Sequence, residues 1–257
     1  MLTEEFPTPP QPSLRLLYPS TVSPKFDFGL IVEDAMRLLM NGVRQFATIF
    51  LAIQVPLVLV QMLALPAPDQ PQGDLGSMGN MILAAIFFGF LGIFATLNVM
   101  TAARHYVACA PKPFYEVFLN AMVRFPTAVF TALVLGIVVF TGLLALIIPG
   151  VVFYVFGCCA LQAIALTDRR IFASLIESYE LVRGHWWQVF ALQFMLFATL
   201  LVISLPLILV DTFLTPPLLV KIPIYLFINA LEIVITLVNV MMFYNLLAVR
   251  AHRAAGL

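Results

Sequence analysis

Hydrophobic residues fall along this chain in two alternating kinds of stretch. The first kind is long and unbroken, near residues 46–65, 81–101, 127–148, 151–166, 189–210 and 222–249. An α-helix needs about 20 apolar residues to cross roughly 30 Å of hydrocarbon, so each run is a candidate membrane span. The fourth, with 16 residues, rises only about 24 Å. It is expected to stand steeply, to thin the bilayer or to be sheltered by its neighbours. The sixth is long and is expected to tilt.

The second kind of stretch is shorter and periodic. Phe28, Ile31, Val32, Ala35 and Leu39 share one helical face, opposed by Glu33 and Asp34. Phe114, Val117, Phe118, Ala121 and Phe125 repeat that stripe against Glu116 and Asn120, and Phe172, Leu175, Ile176, Tyr179 and Val182 repeat it against Ser174, Glu177 and Ser178. Such spacing predicts helices lying in the plane of a membrane surface. Each is followed by a terminator (Asn41 and Gly42, Pro126, Gly184), a pair of spans and a basic exit at Arg104, Arg169 or Arg250. The expected fold is an all-α membrane protein: six transmembrane helices as three hairpins, each preceded by a cytoplasmic amphipathic surface helix. A threefold internal repeat over 27–112, 113–170 and 171–257 is the simplest account. The alternative is that any link held at a bilayer surface becomes amphipathic. Pro149 and Gly150 predict a tight turn at the tip of the second hairpin.

Composition strengthens this reading. Of 257 residues, 62% are hydrophobic and 10% charged, against about 25% charged in a soluble domain, and the mean hydropathy is +1.04. The net charge of zero says less than where the charges fall. If the spans alternate, Arg15, Lys25, Arg37, Arg44, Arg104, Lys112, Arg124, Arg169, Arg170, Arg183, Arg250 and Arg253 share one side, and Lys221 alone takes the other. This predicts a multi-pass protein of the plasma (bacterial inner) membrane with both termini cytoplasmic. Residues 1–26, carrying six prolines, predict a disordered cytoplasmic tail ahead of a single membrane domain over 27–257. Glu4 and Glu5 stand where a signal peptide would be basic. Cys109, Cys158 and Cys159 form no disulfide framework and read as packing residues.

Candidate chemistry is sparse. Glu232 is the one ionisable residue deep inside a span, and Asn229, Glu232, Thr236 and Asn239 fall on one face of the sixth helix. Gln54 and Gln61 make a shorter stripe on the first, with Asn98, Gln162 and Gln193 as further intramembrane amides. These groups either hold helices together or line a polar pathway with Glu232 as proton acceptor or cation site. Trp186 and Trp187, with Arg169, Arg170 and Arg183, suit the lipid interface. No HExxH, GxSxG, phosphate loop or CxxC is present, and His105, His185 and His252 stand far apart without carboxylates at ligand spacing. No catalytic residue, metal site or cofactor is expected, and the divided basic residues do not point to nucleic acid.

One stretch resembles a known family. The run IIPGVVFYVF followed by DRRIFASLIESYELVRGHWWQVF is similar to the membrane domain found with some bacterial glycerophosphodiester phosphodiesterases, and to related six-helix inner-membrane proteins. The likeness rests on Ile148, Pro149 and Gly150, on Asp168, and on Ser178, Leu181, Arg183, Gly184, Trp186 and Trp187. It implies six helices but no phosphodiester chemistry, because His252 and Arg253 echo the start of the catalytic barrel and nothing follows them. The helix after the turn also lacks the basic residue and the proline usual in that family. The expected function is a non-enzymatic integral membrane protein that binds or organises membrane lipid or a protein partner, or a further copy of itself, at the cytoplasmic leaflet. The alternative is a small permease or lipid-handling transporter using the Glu232 stripe.

Overall fold

The structure is a computed structural model that describes residues 18–64, 75–214 and 217–255. Among these residues it is built of helices: α1 (Phe28–Asn41), α2 (Val43–Ile49), a π-helical turn (Phe50–Gln54), α3 (Val55–Ala64), α4 (Leu75–Val107), α5 (Phe114–Ala145), α6 (Ile147–Gly157), α7 (Ala160–Thr167), α8 (Ile171–Val182), α9 (Trp186–Leu214) and α10 (Leu218–Ala254). Among the described residues, six helical spans are long and apolar enough to cross a membrane: Val43–Val60, Ile82–Val107, Phe114–Ala145, Ile147–Thr167, Trp186–Val210 and Val220–Ala254. The basic residues gather at one end of this bundle, where the elements are tied together. Gln45 Nε2 donates to Lys112 O (2.9 Å), Arg104 pairs with Asp168 (2.8 Å) and Arg250 pairs with Glu180 (2.6 Å). Lys221 begins the last span, at its other end.

Three local expectations are corrected. The chain does not reverse at Pro149 and Gly150. It reverses at Leu146, a single extended residue (φ −168°, ψ 145°) between α5 and α6. Pro149 then lies in the first turn of α6, where a backbone N–H has no partner to lose. Gly150 serves packing instead: a Cβ on Gly142 would stand 2.9 Å from the Gly150 Cα, so α5 and α6 touch backbone to backbone. Because α6 begins before the proline, the fourth span has 21 residues and is long enough. Pro126 does not end a surface helix either. It sits on the exposed side of α5, which runs unbroken for 32 residues from Phe114. One missing donor is tolerated within so long a hydrogen-bonded rod.

The third correction concerns the tail. Residues 1–17 lie outside the described residues, but 18–26 are seated against the bundle. Tyr18 and Ser20 are fully buried, and Pro19–Thr21 forms a 3₁₀ turn. Ser20 N donates to Asp34 Oδ2 of α1 (2.7 Å), Asn41 Nδ2 donates to the Tyr18 hydroxyl (3.3 Å), Asn245 Nδ2 of α10 donates to Ser20 O (2.8 Å), and His252 Nε2 donates to Val22 O (3.0 Å). The prolines fix φ without costing these bonds, because three of the donors come from α1 and α10 and the fourth is the N–H of Ser20, which is not a proline. This strap closes over α1, whose Ile31, Ala35 and Leu38 are buried in the same core cluster as Leu237, Met241 and Phe243 of α10.

Candidate functional site

The amphipathic elements at the basic end differ in which face they bury. On α1 the apolar stripe turns inward, with Ile31 and Ala35 buried. Asp34, expected on the polar face, is buried as well. Burial pushes its carboxyl above the usual range, and the Ser20 bonds offset this only in part. The start of α5 also packs inward: Val117 and Ala121 are buried, and Phe118 and Phe125 meet the Phe94 ring edge-on at 5.2 and 5.5 Å.

α8 does the opposite. Its small polar residues Ser174 and Ser178 are fully buried, while Phe172 is 69% exposed, Ile176 59% and Tyr179 44%. The reason lies in the fourth span, which breaks between α6 and α7 at Cys158 and Cys159. A broken helix leaves backbone groups without intrahelical partners, a serious cost in hydrocarbon. Ser178 Oγ meets two of them, donating to Phe156 O (2.6 Å) and accepting from Cys159 N (3.1 Å). Gly157 gives the room for the break, since a Cβ there would collide with Leu135. Ser178 is therefore a clamp on an interrupted membrane helix.

Below the clamp, α7 ends on Asp168 in the left-handed region (φ 57°). Its two carboxylate oxygens are held by Arg104 of α4 (2.8 Å) and by Arg124 of α5, so one acid joins three spans. Partial burial would raise the Asp168 carboxyl, but the two guanidiniums outweigh it and hold the group below the usual carboxylate range. Arg169 Nε pairs with Glu177 Oε2 (3.0 Å), and Thr167 Oγ1 reaches the same oxygen (3.4 Å). Sequence reading had Arg104 and Arg124 only as topology signals. Nothing local marks their convergence, because the bonds join residues 64 and 44 positions apart.

The interfacial set is partly assembled. Trp186 lies in face-to-face register with Phe190 (5.3 Å), and Trp187 stands edge-on to Trp186 (4.7 Å) and is 74% exposed. Arg183 reaches over the Tyr179 ring (6.0 Å). Arg169, Arg170 and Arg183 all flank α8.

The intramembrane stripe does not come together as one site. Asn239 accepts from Gln193 Nε2 of α9 (2.6 Å), a helix-to-helix bond. Asn229 and Thr236 bond back to carbonyls of their own helix, Tyr225 O and Glu232 O (both 2.8 Å). Glu232 is exposed at the bundle surface, about 10 Å from the Asn239 level along the helix. Gln54 lies in the π-helical turn and is buried, as are Asn98 and Gln162; one oxygen on each has no partner among the described residues. The side chain of Gln61 lies outside the described residues. Among the described residues, no three His, Cys, Asp or Glu side chains converge as a metal site.

The whole of this architecture from α4 onward falls within one family. The model of a domain of unknown function, DUF7847, matches residues 78–255, more than half of the chain. No curated protein and no solved structure matches it. The match takes in the broken fourth span, the Ser178 clamp, the Asp168 junction and the Trp pair together. The chain belongs to the DUF7847 family.

Proposed function

We propose that the protein is a non-enzymatic membrane protein whose basic end faces the cytoplasm and binds or organises lipid of that leaflet. One observation carries this reading: α8 turns Phe172, Ile176 and Tyr179 outward beside the exposed Trp187, with arginines at its margin. An outward apolar face rimmed by cations suits the boundary between headgroups and acyl chains. The twelve-to-one division of basic residues supports the sidedness. Glu232 supports a partner or a second copy, because a carboxylate on the outer surface of a span is costly against lipid.

The two tryptophans, Trp186 and Trp187, make the test direct, as the sequence contains no others. With the full chain in nanodiscs, their fluorescence should be quenched by lipids brominated near the headgroup more than by lipids brominated near the chain ends. Full quenching by aqueous iodide, with none by bromolipid, would remove the interfacial seating. Sidedness is read at Cys109, which is exposed in the link between α4 and α5. A membrane-impermeant maleimide should label it only after spheroplasts are permeabilised; labelling of intact spheroplasts would reverse the orientation.

A permease is the second reading. It is favoured by the buried amides Gln54, Asn98 and Gln162 with unpartnered oxygens, beside a π-helical turn and a broken span. Glu232 lies outside that set. Proteoliposome flux that Gln54→Leu abolishes and Glu232→Gln spares would establish a pathway through the amides; no flux from either form would end this reading.

A further inference from the structure

The strap, the turn before α9 and the last turns of α10 enclose an open cavity of about 410 Å³ at the basic end, within the range of small-molecule sites, about 300–1,000 Å³. Pro24, Lys25 and Phe26 form one wall, His185 and Gln188 a second, and Val249, His252 and Arg253 the third. Four of these residues are basic and none is acidic. The closest acids in sequence are engaged elsewhere: Asp27 caps α1 through Leu30 N (3.1 Å), and Glu180 pairs with Arg250 (2.6 Å). Among the described residues, neither Lys25 nor Arg253 has a carboxylate partner.

The remaining geometry favours an anion. The backbone N–H groups of Trp186, Trp187 and Gln188 open α9 beside the cavity, and among the described residues none has an acceptor. A 29-residue helix presents the positive end of its dipole there. His252 donates through Nε2 to Val22 O (3.0 Å), which fixes the ring and leaves Nδ1 free. Arg253 Nη2 lies 3.5 Å from His185 Nε2. Burial, and then Arg253, lower the His185 pKa, so this ring accepts from the guanidinium and holds it in place. Gly184 allows the approach, since a Cβ there would stand 2.7 Å from Arg253 Nη1. Phe26 stacks on His185 at 6.3 Å and makes an apolar wall.

We infer that this cavity is a binding site for a phosphomonoester dianion, held by Lys25, Arg253, the Gln188 amide and the first turn of α9. Two permanent cations match the charge of such a group, about −1.5 to −2 at neutral pH. The phosphate can belong to a lipid of the phosphatidate type or to a soluble ion. The lipid source rests on the leaflet reading above; the anion site does not.

The test uses the full chain in phosphatidylcholine nanodiscs, with and without a minor fraction of dioleoylphosphatidate. Retained lipid is measured by native mass spectrometry, and inorganic phosphate is titrated calorimetrically into the phosphatidylcholine discs. Wild type should retain phosphatidate, and K25Q/R253Q should weaken it by at least about tenfold, the loss expected from removing charge-assisted bonds. R37Q, on the exposed side of α1 and outside the cavity, should bind as wild type. Gly184→Ala keeps every charge but crowds Arg253, and should weaken binding by a smaller factor. Binding of inorganic phosphate that K25Q/R253Q abolishes, without retained phosphatidate, supports the site and assigns it a soluble ligand.

Binding of neither probe overturns the proposal, as does a double variant that binds like wild type or an R37Q that loses as much as the double variant. These results separate from the leaflet reading. Bromolipid quenching that persists without phosphate binding removes only the site, and phosphate binding without quenching removes only the seating of α8.

Discussion

α1 and α8 carry the same apolar stripe headed by a phenylalanine, and the structure uses them in opposite senses. In α1 Ile31, Ala35 and Leu38 are buried in one core cluster with α10, and the strap closes over Asp34 while Glu33 and Arg37 stay exposed. In α8 Phe172, Ile176 and Tyr179 of the stripe face outward while Val182 at its end is buried, and the two serines opposite are buried. Periodicity defines two faces of a helix, but not which one meets protein. α8 is turned over because its neighbour is a broken span whose free carbonyl and N–H need Ser178 more than the core needs Phe172. In α1 no such demand exists, and apolar burial decides.

The sharpest way to break this comparison is to remove an anchor from each side. Tyr18→Ala empties a fully buried site under the strap and should cost about 3–5 kcal/mol, as for other large aromatic truncations, read as a lower midpoint in detergent thermal unfolding. Phe172→Ala on the exposed stripe should stay within about 0.5 kcal/mol. Equal losses would show that α8 is buried by something else.

Ser178→Ala comes next. It leaves Phe156 O and Cys159 N without the serine, at about 1–3 kcal/mol for each orphaned group, and should speed hydrogen exchange at Cys159 first. An unchanged midpoint would mean that the break in the fourth span satisfies itself.

Asp34→Asn sharpens the α1 side through pH. The folded carboxyl titrates above its unfolded value, so the folded state binds the extra proton between the two, and stability falls as pH rises through that window. The asparagine keeps an acceptor for Ser20 N and should flatten this dependence, leaving neutral-pH stability equal or higher; a lower neutral-pH midpoint would contradict it.

The smallest effect belongs to Asp168→Asn. Asparagine tolerates the left-handed backbone, so the change isolates the ion pairs. The carboxylate is 51% exposed, and each pair should contribute about 0–1 kcal/mol. Because the folded pKa is depressed, that contribution is present above the unfolded value, about 3.9, and disappears as pH falls through the folded one. A loss insensitive to salt would indicate a more buried junction than the geometry gives.

Much of the scaffold was legible in the chain because hydrocarbon imposes a length and excludes charge: the six spans, the collected basic residues and the Asn41–Gly42 and Gly184 breaks follow from local pattern. The site was less legible. Lys25, His185 and His252 looked unrelated, and the proline count in residues 1–26 concealed that Tyr18 to Phe26 has donors waiting on α1 and α10. The Glu232 stripe was visible as a helical face, but whether it met a cavity, a helix or the bundle surface was not.

Sequence alone thus determined where the apolar spans lie and which residues share a helical face, since these depend on spacing within one segment, but not the ends of the fourth span or of α5. Only the tertiary structure decided which face of α1 and of α8 turns inward, where the chain reverses at Leu146, and that the strap, Gly184 and Arg253 meet around one cavity. Those outcomes are set by the unsatisfied groups and close approaches of segments up to 230 residues apart, which no local pattern encodes.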